Sequence, residues 1–263
     1  MNRELFIDGL ILGVILLNIT GCATTPSGTV ANVYDEKPSN AAENYAYLGR
    51  QYLFQNSLDL AEARLQHALK LDPELPAAHH DLAVVYTKMG RFDSADDQYR
   101  LALQFAPTDY TILYNYATLL YNQGRYDESE KQLLALIANP DAVNRAQAYE
   151  ALGLIAIKNN QIEQAEVYFG QALGIAAELP RTLLELTKLS ITAERLSLAR
   201  SYLQRYQEIA RDTPEGLWTG ILLGRAQNDS AMVSDYSQRL RVKFPDSPQA
   251  RQLYAERISK PSD

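Results

Sequence analysis

The feature that most constrains this chain is a period. In the stretch from Ala42 to Leu75, Tyr45, Leu48, Gly49, Tyr52, Ala61, Leu65, Ala68 and Pro73 stand at positions 4, 7, 8, 11, 20, 24, 27 and 32 of a 34-residue unit. The next 34 residues, from Pro76, carry His79, Leu82, Ala83, Tyr86, Ala95, Tyr99, Ala102 and Pro107 at the same eight positions. Units begin at 42, 76, 110, 146, 180 and 214, so the spacing departs from 34 only once, where it is 36. Within a unit the apolar residues recur three and four apart, first before and then after a break near position 15. That is the pattern of two amphipathic helices joined by a turn. Asn56, Gly90, Gly124, Asn160 and Asn228 occupy the break, and all are residues suited to turn conformations. Small residues fit where paired helices approach closely, and Pro73 stops the second helix. One such pair cannot bury its apolar face alone, so the units must stack.

These positions resemble the tetratricopeptide repeat. The implied fold is all-α, a right-handed superhelical solenoid of about six repeats: 42–75, 76–109, 110–145, 146–179, 180–213 and 214–247. The third unit keeps Leu113, Tyr116, Ala117 and Leu120, then weakens, with Ser129 and Leu136 at alanine positions and two extra residues around Asn139-Pro140. The fourth keeps Tyr149, Leu152, Gly153, Ala165, Phe169 and Ala172. The fifth keeps Leu183, Leu186, Ala199, Leu203 and Tyr206, and the sixth Leu217, Gly224, Leu240 and Pro245. After them, residues 248–259 read as a capping helix with Leu253, Tyr254 and Ile258 on its apolar side.

Residues 1–21 have the layout of an export signal: a short polar start with Arg3, a mostly apolar run from Leu5 to Ile19, and small residues before Cys22. Asp8 interrupts the run, which is too short for a membrane-spanning helix of about 20 apolar residues. Ile19-Thr20-Gly21-Cys22 resembles a bacterial lipobox. The resemblance implies cleavage before Cys22, the chain's single cysteine, with diacylglycerol on its sulfur and an acyl chain on its new amino group. Two or three chains are needed for stable anchoring, at about 0.8 kcal/mol per buried CH₂. Ala23, where a retaining aspartate is absent, implies by the same resemblance the outer membrane of a Gram-negative bacterium. Residues 22–41 are rich in Thr, Ser, Gly, Pro and Asn and read as a tether with a reach of roughly 25 Å.

The remainder is unsuited to most chemistry. Three histidines and one cysteine offer little to metals or thiol reactions, and a net charge of −7 argues against a nucleic-acid partner. Hydrophobic content of 46% and charged content of 22% are those of a folded soluble protein. His79 and His80 point about 100° apart on a helix and make no paired metal site; His79 takes a seam position and His80 a groove position. No phosphate loop or nucleophile elbow occurs. The chain is expected to be no enzyme, to use no cofactor and to take no small-molecule substrate.

Function is expected on the groove face, through positions near 2, 5, 9, 12 and 13 of each first helix. The candidates for partner binding are Arg50, Leu53, Phe54, His80, Val84, Tyr114, Tyr121, Leu154, Ile157 and Trp218. Such an apolar, aromatic stripe marks a protein partner. The Lys and Asn of a carboxylate clamp are missing from positions 5 and 9, which favours an extended or helical apolar segment.

Lipobox, tether, repeats and final helix together resemble the type IV pilus biogenesis and stability lipoproteins, the pilotin group. The likeness is carried also by Leu113-Tyr114-Asn115-Tyr116 with Leu119-Leu120-Tyr121, by Gly124-Arg125-Tyr126 and by Leu240 to Ser247. It implies a lipid-anchored protein on the periplasmic face of the outer membrane. There it would help the pilus secretin localise and multimerise, or stabilise the fibre, gripping the secretin or a companion pilus protein near Leu53 and Phe54. The alternative is a repeat lipoprotein that serves as an adaptor for peptidoglycan enzymes or outer-membrane protein assembly.

Overall fold

The computed structural model describes residues 40–259, so residues 1–39, with the export signal, Cys22 and most of the tether, lie outside the described residues, as do 260–263. Among the described residues there are thirteen α-helices and no strand. They fall in pairs: α1 (Ala41–Phe54) with α2 (Leu58–Leu71), α3 (Pro76–Lys88) with α4 (Phe92–Phe105), and α5 (Tyr110–Asn122) with α6 (Tyr126–Ile137). Next come α7 (Arg145–Lys158) with α8 (Ile162–Ile175), α9 (Pro180–Thr192) with α10 (Leu196–Ile209), and α11 (Pro214–Ala226) with α12 (Ser230–Lys243). A last helix, α13 (Pro248–Ser259), follows. This is the helical repeat array that the period requires.

Each pair turns in the same way. The residue at position 15 is left-handed, with φ of 57° at Asn56, 74° at Gly90, 76° at Gly124, 58° at Asn160 and 57° at Asn228. The amide two hydrogen-bonding steps beyond the helix closes the turn: Ser57 N donates to Tyr52 O at 2.9 Å while Asn56 N donates to Leu53 O at 3.0 Å. That double bond pattern is a Schellman motif, and it recurs in all six pairs. The fifth pair has the same geometry at Glu194, φ 56°, which its residue type does not announce. An L-residue in this conformation costs about 1–2 kcal/mol, and glycine escapes that cost while losing about 0.5–1 kcal/mol to its freer unfolded chain. Glu194→Gly is therefore expected to stabilise the array by about 0.5–1 kcal/mol. The check is a rise in the urea midpoint at unchanged slope; an unmoved or lower midpoint would contradict it.

The seam between paired helices is set by size. A Cβ on Gly153 would lie 2.5 Å from the ring of Phe169, and one on Gly49 would lie 2.5 Å from Leu65 Cγ. In the third repeat the same two positions hold Ala117 and Leu133, both buried. Irregular repeats are compensated locally. Ser129, at an alanine position, is fully buried and donates its hydroxyl to Ala117 O at 2.7 Å. Tyr206, also at a position usually held by alanine, fits because the next repeat opposes it with Gly216, where a Cβ would meet the ring at 2.6 Å.

Successive repeats are also joined by a ladder of ion pairs. An arginine at position 16 reaches back 29 residues: Arg91 to Glu62 at 2.9 Å, Arg125 to Asp96 at 2.7 Å, and Arg195 to Glu166. Burial pushes the Asp96 carboxyl up, but hydrogen bonds from Arg125 and Tyr116 hold it below the usual carboxylate range. Between the fifth and sixth repeats the polarity is reversed, Arg200 meeting Asp229 at 3.3 Å. At the junction of the third and fourth repeats the two positions hold Glu130 and Gln161, and the rung is absent there. The two extra residues fall in the same junction, where Asn139 Oδ1 accepts from Asp141 N at 2.9 Å and Arg145 donates to Pro140 O at 3.1 Å.

The two ends of the array differ. In α1, positions 3 and 10 are Asn44 and Gln51, where α3 has Ala78 and Val85, both fully buried. At the other end α13 covers the sixth repeat with buried Ala250 and half-buried Leu253. Tyr254, expected on the apolar side of that helix, is instead exposed. The side chain of Ile258 lies outside the described residues.

Candidate partner-binding groove

The first helices of the pairs, α1 to α11 by odd number, are neighbours across repeats. Helix α1 meets α3, α3 meets α5 and α9 meets α11, whereas α5, α7 and α9 stand further apart. The space left is a cleft of about 190 Å³. The irregular third repeat supplies much of its lining.

The expected groove residues divide into two sets. Leu53 is 9% exposed and belongs to the core of the first three repeats, so it is a core residue and not part of an open surface. Phe54 beside it is 67% exposed. His80 is buried at 8%: Asn115 Nδ2 donates to its Nε2 at 2.8 Å, which puts the ring proton on Nδ1, 3.2 Å from Asp81 Oδ1. Arg50 Nε donates to the other Asp81 oxygen at 2.8 Å. These four side chains form a polar chain across α1, α3 and α5. Arg50 and His80, expected as partner contacts, are thereby engaged in joining repeats.

Val84 is half-buried against the first core, and Ile157 is half-buried beside Leu154 and Leu186. Trp218 is half-buried with the Arg225 guanidinium 5.4 Å from its ring centre, and Arg225 in turn donates to Glu256 of α13 at 2.7 Å. Tyr114, Tyr121 and Leu154 come together and line the cleft. Leu154 is a wall residue, buried at 8%.

The cleft is also lined by Ala117, Thr118 and Asn122 of α5, by Ser129 and Leu133 of α6, and by Gln147 and Ala151 of α7. Glu150 and Arg181 stand at its rim. Thr182 donates its hydroxyl to Glu150 Oε2 at 2.6 Å, tying α9 to α7. Burial raises the Tyr114 hydroxyl above its ordinary range; the nearby Glu150 charge adds to this and Arg181 opposes it. Glu150, Ala151 and Arg181 were not among the sequence candidates. A signal existed for two of them, because Glu150 stands at position 5 of the fourth unit and Arg181 at position 2 of the fifth.

Two tetratricopeptide-repeat family models match the chain, one over residues 52–101 and one over 146–179. The type IV pilus assembly protein PilF of Pseudomonas aeruginosa is 28% identical over 244 residues, covering 93% of this chain and 96% of PilF. A solved structure of P. aeruginosa PilF superposes with a TM-score of 0.75 at 29% identity, over 82% of this chain and 97% of that one. The chain is a tetratricopeptide-repeat protein of type IV pilus biogenesis. The crystal structure of PilW, described as a widely conserved type IV pilus biogenesis factor, has the same fold, with a TM-score of 0.72 at 24% identity. It covers 82% of this pilus-biogenesis repeat protein and is itself covered in full.

Proposed function

We propose that this protein is a lipid-anchored scaffold of type IV pilus biogenesis that holds a protein partner in the groove of its first helices. The partner is the pilus secretin or a companion pilus protein, and the effect is correct placement and assembly of the secretin ring or stability of the fibre. The observation that carries this reading is the similarity to P. aeruginosa PilF, which runs through 93% of the chain and so extends beyond the repeat pattern. Tetratricopeptide repeats are protein-interaction modules, and the cleft offers tyrosine rings beside polar and charged groups, residue types that such binding uses. The lipobox at Cys22 supports anchoring at the periplasmic face of the outer membrane, with the partner captured close to the bilayer.

The test compares cells lacking the gene with cells making Cys22→Ala. Unheated membrane fractions are run on a denaturing gel and blotted for the secretin. Loss of the high-mass ring in the deletion, and a ring in the wrong membrane with Cys22→Ala, is the expected result. Normal rings in the outer membrane of both strains would overturn the secretin role.

A further inference from the structure

We propose, on the footing that the groove holds a protein partner, that the cleft between α5 and α7 takes one aromatic or large aliphatic side chain of an extended segment, and that Arg181 takes a carboxylate beside it. Size sets the first half. At about 190 Å³ the cleft is smaller than the 300–1,000 Å³ of small-molecule sites, and it suits a single side chain. Tyr114, Tyr121, Ala151 and Leu154 give it an apolar, aromatic side, with rings already held in place by neighbouring helices, and Thr118, Asn122, Gln147 and Glu150 give it a polar one. Such walls give an anchor its affinity with little ordering cost.

Charge sets the second half. Three other cations of the first helices are paired: Arg50 with Asp81 at 2.8 Å, Arg225 with Glu256 at 2.7 Å, and Lys188 with Glu185 at 3.0 Å and with Glu215. Arg181 is exposed and in no salt bridge among the described residues. The nearby Glu150 is held toward Thr182. Arg181 also sits in the first turn of α9, which begins with Pro180 and has no side-chain cap, so its free N–H groups add positive potential at the same place. A carboxylate there meets a guanidinium fork and a helix N-terminus together. A basic segment would meet repulsion from both, offset only by the Glu150 carboxylate that Thr182 already engages.

The test is direct. The full-length protein is titrated with a fluorescein-labelled, end-blocked peptide Gly-Ser-Gly-Phe-Asp-Gly-Ser-Gly and with its Phe-Lys and Ala-Asp counterparts, read by fluorescence anisotropy. The Phe-Asp peptide is expected to bind at least about tenfold more tightly than either counterpart, equivalent to 1.4 kcal/mol. Arg181→Glu should transfer the preference to Phe-Lys, and Thr118→Trp, which fills the cleft from its exposed edge, should abolish binding of both. Both variants change exposed residues, and circular dichroism confirms their helix content. Equal binding of the three peptides, no binding, or a preference unmoved by Arg181→Glu would overturn the proposal. A flat titration alongside a secretin defect in the deletion strain removes this site and leaves the pilus role; discrimination without a secretin defect does the reverse.

Discussion

Gly153→Ala is expected to destabilise the protein by about 1–3 kcal/mol, the cost of overfilling a well-packed interior. In an open helix the same change would stabilise by roughly 0.5–1 kcal/mol, because alanine loses less backbone freedom. The sign is decided by Phe169. Its ring is fully buried and would lie 2.5, 2.6 and 2.8 Å from the new Cβ at three different atoms, so no small rotation relieves all of them. The chain itself contains the remedy. At the same two positions the third repeat pairs Ala117 with Leu133, so Gly153→Ala combined with Phe169→Leu should recover most of the loss. Urea unfolding of the two single variants and the double variant measures this coupling. Simple additivity of the two changes would show that the glycine is not there for the ring.

How much of this was legible in the sequence depends on how far apart the cooperating residues lie. Contacts inside one repeat were legible: Gly49 with Leu65 and Gly153 with Phe169 recur at fixed offsets. Turns were legible wherever glycine or asparagine marks the left-handed residue, and the period places Glu194 in the same role although its type does not. Contacts across repeats were less so, because they compensate in pairs. Tyr206 departs from the small-residue pattern, and only the approach of Gly216 from the next repeat explains it. The groove shows the same limit. Leu53, Tyr121 and Ile157 share position 12, yet Leu53 is buried in the core, Tyr121 lines the cleft and Ile157 rests on the next repeat. Position selects the face, while the neighbouring helix decides whether that face is open. The wide spacing of α5, α7 and α9 has no residue-level signature beyond the two added residues near Asn139-Pro140.

Asp81→Ala is expected to cost about 3 kcal/mol, in the range found when one partner of a buried ion pair is removed. The Asp81 carboxylate is 6% exposed and receives Arg50 Nε at 2.8 Å through one oxygen while its other oxygen faces His80 Nδ1 at 3.2 Å. Arg50 comes from the first repeat, His80 and Asp81 from the second, and Asn115, bonded to His80, from the third. Removing the carboxylate therefore takes the Asp81 charge away from a guanidinium only 13% exposed and loosens three helices at once. Phe54→Ala, at an exposed neighbour on the same helix, should move stability by less than about 0.5 kcal/mol. A further variant, Arg50→Met with Asp81→Leu, removes both charges and should be closer to neutral, since a matched apolar pair replaces a buried ion pair at little cost. Thermal and urea unfolding of the three variants separates the readings. If Asp81→Ala unfolds like the wild type, the polar chain is not what joins the first three repeats, and Arg50 and His80 return to the groove as contacts for the partner.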